Sequence, residues 1–357
     1  MVRNMSLSVV QNEQSDAHFS QASTIVDSRS PLFIRNPVYK PFKYPWAYTA
    51  WLTQQRTHWL PDEVPMGDDI KDWNHRLSVP ERNLLTQIFR FFTQMDVEVG
   101  SCYLNYYCQI FQPTEVKMML ASFANIETVH IAAYSHLLDS LGIPEIEYSA
   151  FFKYKEMKDK WEYMQQFQSD DRSIKALALT IAAYGAFTEG LQLFASFAML
   201  LNFPRFNKMR GMGQIVTWSV RDETLHIHSV IKLFRTIISE HPTLWTPGLQ
   251  AQILNIAQTM VEHEDAFIDL AFEMGGVEGL TIEDMKRYIR YIADRRLEQL
   301  GMPAFYHIEK NPLSWMDDML GGIEFTNFFE SRATEYSKSA TEGNWEDVFS
   351  SEPSLEI

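Results

Sequence analysis

The stretch Ala176–Phe203, ALALTIAAYGAFTEGLQLFASFAMLLNF, is 28 residues long and carries a single charged side chain, Glu189. Its length meets the requirement for a membrane-crossing helix. It suits equally the central helix of a bundle, which is apolar on every face because every face is covered. The neighbouring segments decide between the two. The other long helical runs carry charges along their length, and no second uncharged span follows. The stretch therefore reads as a buried helix with no membrane around it. Glu189 becomes a buried carboxylate that needs partners, because an unpaired one is costly.

Outward from this helix the chain is a series of helices with clear punctuation. Ser78-Val79-Pro80-Glu81 is a capping box with proline in the first turn, and it opens an apolar-periodic run to about Phe111. Pro113-Thr114 restarts a helix that stops at Gly142-Ile143-Pro144. The uncharged helix begins after Ser169-Asp170-Asp171 and runs to Pro204, and the next spans about Phe206 to His241-Pro242. Thr246-Pro247 starts one that ends at Gly275-Gly276, and Thr281 starts one that ends at Gly301. Several exceed 25 residues, which is roughly 40 Å at the helical rise. No stretch alternates as a strand does, so the fold class is all-α. Residues 1–30 are polar and aperiodic and read as a disordered lead-in. Residues 31–330 form the helical domain, within which the Pro- and aromatic-rich Pro37–Trp51 is expected to lie across the outside of the core. Residues 331–357 read as a flexible tail.

Composition narrows the function. A net charge of −15 without any Lys/Arg cluster argues against a nucleic-acid groove or an anionic membrane surface. Two cysteines, Cys102 and Cys108, six residues apart within one helical run, cannot bridge and point to a reduced, cytoplasmic setting. The first residues lack the apolar core of a signal peptide.

The chemistry sits in two pairs. Glu127-Thr128-Val129-His130 and Glu223-Thr224-Leu225-His226 are the only places in the chain where a histidine follows a glutamate by three residues. That offset stacks carboxylate and imidazole on one helical face, so both can reach one metal ion. A lone pair of this kind is usually a surface contact. Here Glu189 lies 34 residues before Glu223, and Asp96, in Phe91-Phe92-Thr93-Gln94-Met95-Asp96, lies 31 residues before Glu127. The order acid, acid-x-x-His, acid, acid-x-x-His on four helices is similar to that of ferritin-like di-metal carboxylate bundles. Hard oxygen donors with two imidazoles suit iron or manganese better than zinc. His136, His228, His263 and the pair Asp72/His75 are left outside this set. Glu262-His263-Glu264-Asp265 reads as a solvated face.

The chain resembles the radical-generating small (beta) subunit of class I ribonucleotide reductase. Ile126-Glu127-Thr128-Val129-His130-Ile131-Ala132-Ala133-Tyr134, Ser219-Val220-Arg221-Asp222-Glu223-Thr224-Leu225-His226 and His58-Trp59-Leu60-Pro61-Asp62-Glu63-Val64 carry the resemblance, which spans about Pro37 to Tyr336. It implies a ferritin-like long-helix bundle with a di-metal site in its core. The metal ligands would be Asp96, Glu127, His130, Glu189, Glu223 and His226, holding two irons per chain, with Mn/Fe or Mn/Mn as alternatives. Tyr134 would become a radical on reaction with O2, Trp59 and Asp222 would relay the oxidising equivalent, and Tyr336 would hand it to a large (alpha) subunit that reduces ribonucleotides. The last residues would be the peptide that docks on that subunit, and the chain would be a homodimer. Two positions depart from the family pattern: Ser219 stands where an apolar side chain is more usual near the radical, and Asp96 stands where some members have Glu. The alternative on the same fold is a di-metal oxidase or oxygenase acting on a small or lipid-like substrate.

Overall fold

The computed structural model describes residues 30–168 and 171–319. Among them there is no strand, only an isolated bridge between Val277 and Leu280. The helices are α1 Pro45–Arg56, α2 Gly67–Lys71, α3 Val79–Ser101, α4 Cys108–Ile110, α5 Thr114–Leu141, α6 Lys155–Gln165, α7 Ile174–Ile181, α8 Leu193–Arg205, α9 Arg210–Glu240, α10 Pro247–Ala271 and α11 Ile282–Leu300. Two π-helical stretches, Cys102–Tyr107 and Ala182–Gln192, join α3 to α4 and α7 to α8 without a break, so each run is one long helix with a widened middle.

The caps lie where the sequence places them. Ser78 and Glu81 exchange their bonds at the start of α3, and Thr246 and Thr281 cap α10 and α11. Gly142 and Gly301 adopt the left-handed conformation that closes α5 and α11. The uncharged helix begins after Ser169-Asp170-Asp171, as expected, and is capped by Ser173, whose side chain accepts from Ala176 N. One reading needs correction. Helix α9 starts at Arg210, later than its apolar pattern implied, because Asn207 and Met209 turn through positive φ. Its first amides are taken by Asp72, which accepts from Met209 N, and Asp69, which accepts from Gly211 N and Met212 N. The Pro37–Trp51 segment lies on the outside, with residues 37–41 exposed, and α1 packs one face on α5 and α9 and carries a buried glutamine, Gln54, into the core.

The run Ile174–Arg205 is long and apolar enough to cross a membrane, yet 94% of its most apolar window is buried inside the protein. Helices α9, α10 and α11 cover its π-helical middle. Close approach is permitted by two glycines beside Glu189: a Cβ on Gly185 would lie 2.4 Å from Val230 of α9, and one on Gly190 would lie 2.7 Å from Arg296 of α11. Arg296, itself buried, donates through Nε to the Gly190 carbonyl at 2.8 Å. The uncharged sequence is thus explained by coverage on all sides, and its one carboxylate points into the bundle.

Candidate metal centre

Four helical runs deliver the acidic and imidazole groups. Asp96 comes from α3, Glu127 and His130 from α5, Glu189 from the π-helical stretch, and Glu223 and His226 from α9. All six are at most 1% exposed. They form two overlapping groups, in each of which one ligand-type atom per residue lies within 4.8 Å of the others: Asp96, Glu127, His130 and Glu223 in the first, Glu127, Glu189, Glu223 and His226 in the second. Glu127 and Glu223 belong to both. Two overlapping groups with two shared carboxylates are what a pair of bridged cations requires.

The imidazoles are oriented for this. Nδ1 of His130 lies 3.2 Å from Glu127 and 3.3 Å from Glu223. Nδ1 of His226 lies 3.1 Å from Glu127, 3.3 Å from Glu223 and 3.7 Å from Glu189. The outward nitrogens are held elsewhere: Nε2 of His130 is 3.3 Å from Oδ2 of Asp222, and Nε2 of His226 is 3.1 Å from Oε1 of Gln54. A proton on each Nε2 leaves each Nδ1 lone pair facing the carboxylates, the tautomer a metal ligand needs.

Fit to cations is also visible in what lacks a hydrogen bond. Oδ2 of Asp96, Oε1 of Glu127, Oε2 of Glu189, Oε2 of Glu223 and Nδ1 of His226 are buried without a hydrogen-bond partner. Buried polar atoms are normally paired, and these unpaired ones all belong to residues of the two groups. The electrostatics agree. Burial drives the Asp96 carboxyl well above the usual range, with Glu127 adding to it, and pushes Glu189 up to about 8. Burial also acts to raise Glu127, but the imidazoles of His130 and His226 beside it outweigh it and leave that carboxyl below its usual value. Both histidines are held well above theirs: burial alone would lower them, but the carboxylates around them prevail. The donor set and its excess negative charge match two divalent cations.

Tyr134 stands one turn beyond His130, 1% exposed, with Phe92 edge-on at 4.7 Å. Its hydroxyl donates to Ser219 Oγ at 3.0 Å, and Ser219 donates onward to the Ile215 carbonyl at 3.1 Å. Burial, then Asp96, raise the phenol's pKa, so it is neutral at rest. Trp59, 3% exposed, donates through Nε1 to Oδ2 of Asp222 at 2.8 Å. The oxygen that faces His130 therefore also faces the indole, and Trp218 lies tilted against Trp59 with ring centroids 5.0 Å apart. Tyr336 and the tail lie outside the described residues.

Two residues escaped the sequence reading. Gln54 donates through Nε2 to Oδ1 of Asp222 at 3.1 Å while it accepts from His226, so one amide ties the two histidine supports together. Tyr103 donates to Oε1 of Glu189 at 2.7 Å. Neither has a spacing signature. One reading was wrong: Glu264 is fully buried and paired with an equally buried Lys160 of α6, and His263 is half-buried against Tyr163.

Comparison with known proteins places this geometry. The family described as "Ribonucleotide reductase, small chain" matches residues 36–312. A probable ribonucleoside-diphosphate reductase small subunit of Invertebrate iridescent virus 3 is 45% identical over 323 residues, covering 86% of each chain. The ribonucleoside-diphosphate reductase subunit beta of Chlamydia pneumoniae is 32% identical over 317 residues, covering 85% of this chain and 90% of that one. In fold, the chain is similar to a solved putative class I ribonucleotide reductase from Bacillus halodurans, with a TM-score of 0.72 at 24% identity over 77% of this chain and 99% of that one. A buried carboxylate–histidine cluster in an all-helical bundle, and sequence likeness over most of its length, lead to one conclusion: the chain belongs to the ribonucleotide reductase small-chain family.

Proposed function

We propose that this chain is the radical-generating small subunit of a ribonucleoside-diphosphate reductase. The observation that carries the reading is that His130 of the buried centre shares Asp222 with Trp59, while Tyr134 lies one turn beyond the same histidine and close enough to Asp96 for that carboxylate to act on its phenol. A plain metal store has no need of either. Asp96, Glu127, His130, Glu189, Glu223 and His226 would hold two irons. When bound, such a pair supplies one-electron redox chemistry with dioxygen.

The chain's own residues do the rest. Tyr134 gives up one electron and its phenolic proton to become a neutral radical. Phe92 and the surrounding apolar wall exclude water and reductants from it. Asp222 accepts hydrogen bonds from both Trp59 and His130, so it can compensate charge on either as an electron passes between the indole and the centre. Gln54 and the Arg221 guanidinium, 3.4 Å from Oδ1, fix that carboxylate in place. Tyr336 continues the route, and the C-terminal tail docks it on a large subunit whose cysteine performs the reduction. The working unit is a homodimer. The substrate assignment to diphosphates follows the names of the relatives.

The test is reconstitution with iron, a large subunit and a ribonucleoside diphosphate. Deoxyribonucleotide should form, and Tyr336→Phe should abolish turnover while the Tyr134 radical remains. Turnover that survives Tyr336→Phe would remove the tail from the route, and oxidation of another substrate without a large subunit would favour an oxidase.

A further inference from the structure

Tyr103 is the buried phenol that the mechanism above leaves unused. It lies on the π-helical stretch Cys102–Tyr107, in which Tyr103, Tyr106 and Tyr107 are all buried. π-Helical turns of this kind recur at functional sites. Tyr103 is 1% exposed, and its hydroxyl donates to Oε1 of Glu189 at 2.7 Å, whereas the Tyr134 hydroxyl donates to a serine. Its ring also sits edge-on to His226 at 6.0 Å. Ring contacts continue outward: Tyr107 lies 5.7 Å from Tyr103, and Tyr106 lies 5.9 Å from Tyr107. Tyr106 is the outermost, 6% exposed, with its hydroxyl on the Asp171 carbonyl at 3.1 Å. This file leaves the centre from the Glu189 side, away from Asp222 and Trp59.

Electron counting gives it a task. Reduction of one dioxygen to two waters takes four electrons. Two divalent ions giving one each, and Tyr134 giving one, leave one to be found. We propose that Tyr103 is a second redox-active tyrosine of the centre, which supplies that electron and regains it from an external one-electron reductant through the rings of Tyr107 and Tyr106. This rests on the radical-generating reading above. Dioxygen is the oxidant. As Tyr103 loses its electron to the centre, its phenolic O–H breaks and the proton moves along the existing hydrogen bond to Oε1 of Glu189. When the reductant returns an electron, the same proton moves back. Tyr103 and Glu189 end as they began, and one electron has been delivered.

The experiment is rapid freeze-quench electron paramagnetic resonance (EPR) on the full chain with ring-deuterated tyrosine, loaded with ferrous ion and mixed with oxygen in the presence of ascorbate as the one-electron reductant, with metal content measured on the same samples. In Tyr134→Phe a transient tyrosyl signal, narrowed by the deuterated ring, should appear, and it should be lost in Tyr134→Phe/Tyr103→Phe at unchanged metal content. Tyr107→Leu in the Tyr134→Phe background should lengthen the life of that transient, and this arm leaves the Glu189 contact intact. A transient that persists in the double variant, or none in metal-loaded Tyr134→Phe, overturns the assignment of Tyr103. An unchanged lifetime in Tyr107→Leu overturns the outward route. Failure of the radical-generating reading is a separate result: no persistent tyrosyl signal in the wild type, whatever is changed at Tyr103.

Discussion

On one half of the buried centre, His130 is backed by a carboxylate, Asp222, which also accepts from Trp59. On the other half, His226 is backed by a neutral amide, Gln54, and Glu189 accepts from a phenol, Tyr103. The inner groups are alike, an acid and a Glu-x-x-His pair on each side, and the outer groups are not. A carboxylate behind an imidazole makes the ligand more basic and can take up charge that develops on it, whereas an amide only fixes orientation. The difference teaches that the two halves share a binding task and divide the redox task. The His130 half faces Tyr134 and the indole route, and the His226 half faces Tyr103.

The largest effects should come from breaking the symmetry of the shared groups. Glu223→Ala removes a carboxylate common to both halves and should leave neither ion tightly held, while Glu189→Ala should abolish normal assembly of the pair but spare the His130 half. Metal analysis after iron loading checks both, and an unchanged metal content with unchanged radical yield in Glu189→Ala would remove that residue from the centre. Next come the outer supports. Gln54→Leu and Asp222→Asn should each weaken metal binding by about 10–100-fold, as read by chelator competition. Only Asp222→Asn should also disturb electron passage through Trp59.

A moderate, pH-dependent effect sharpens the contrast further. The Glu189 carboxyl is pushed up to about 8 by burial in the metal-free protein, above its ordinary value of 4.5. A folded-state pKa raised in this way gives stability that is present below the unfolded value and lost as pH rises through the folded one. The thermal midpoint of the metal-free chain should therefore fall between about pH 4.5 and 8, and Glu189→Gln should flatten that decline. Metal uptake should tighten over the same window as the proton is displaced. The smallest effect is expected at Ser219. Ser219→Ala removes one buried hydrogen bond to Tyr134, worth about 1 kcal/mol. It should leave the radical yield nearly unchanged, with high-field EPR reporting the altered surroundings of the phenol oxygen.

Much of this was legible beforehand. Two Glu-x-x-His pairs and one charge in a stretch of 28 residues leave few arrangements, and the helix caps are local chemistry that reads directly. The rest was not legible, for physical reasons. Gln54 sits in a helix of weak amphipathicity whose inward face is set by where α5 and α9 lie, which no local pattern encodes. Tyr103 belongs to an aromatic run, with Tyr106 and Tyr107, whose helical spacing reads as ordinary core, and nothing local marks the member that meets Glu189. Glu264 was misread because a run of charges is normally solvated. It is buried through its pairing with Lys160, an interaction between α6 and α10 that sequence distance conceals. Lys160 also lies over the rings of Phe91 and Phe267.

The central claim, that this buried pair of half-sites exists to oxidise Tyr134, meets its most direct test in EPR spectroscopy of the metal-free chain given ferrous iron and then oxygen, with Tyr134→Phe measured alongside. The expected result is a persistent tyrosyl signal in the wild type that is absent from the variant, with equal iron in both. Full iron uptake without that signal in the wild type, or the same persistent signal in Tyr134→Phe, would contradict it.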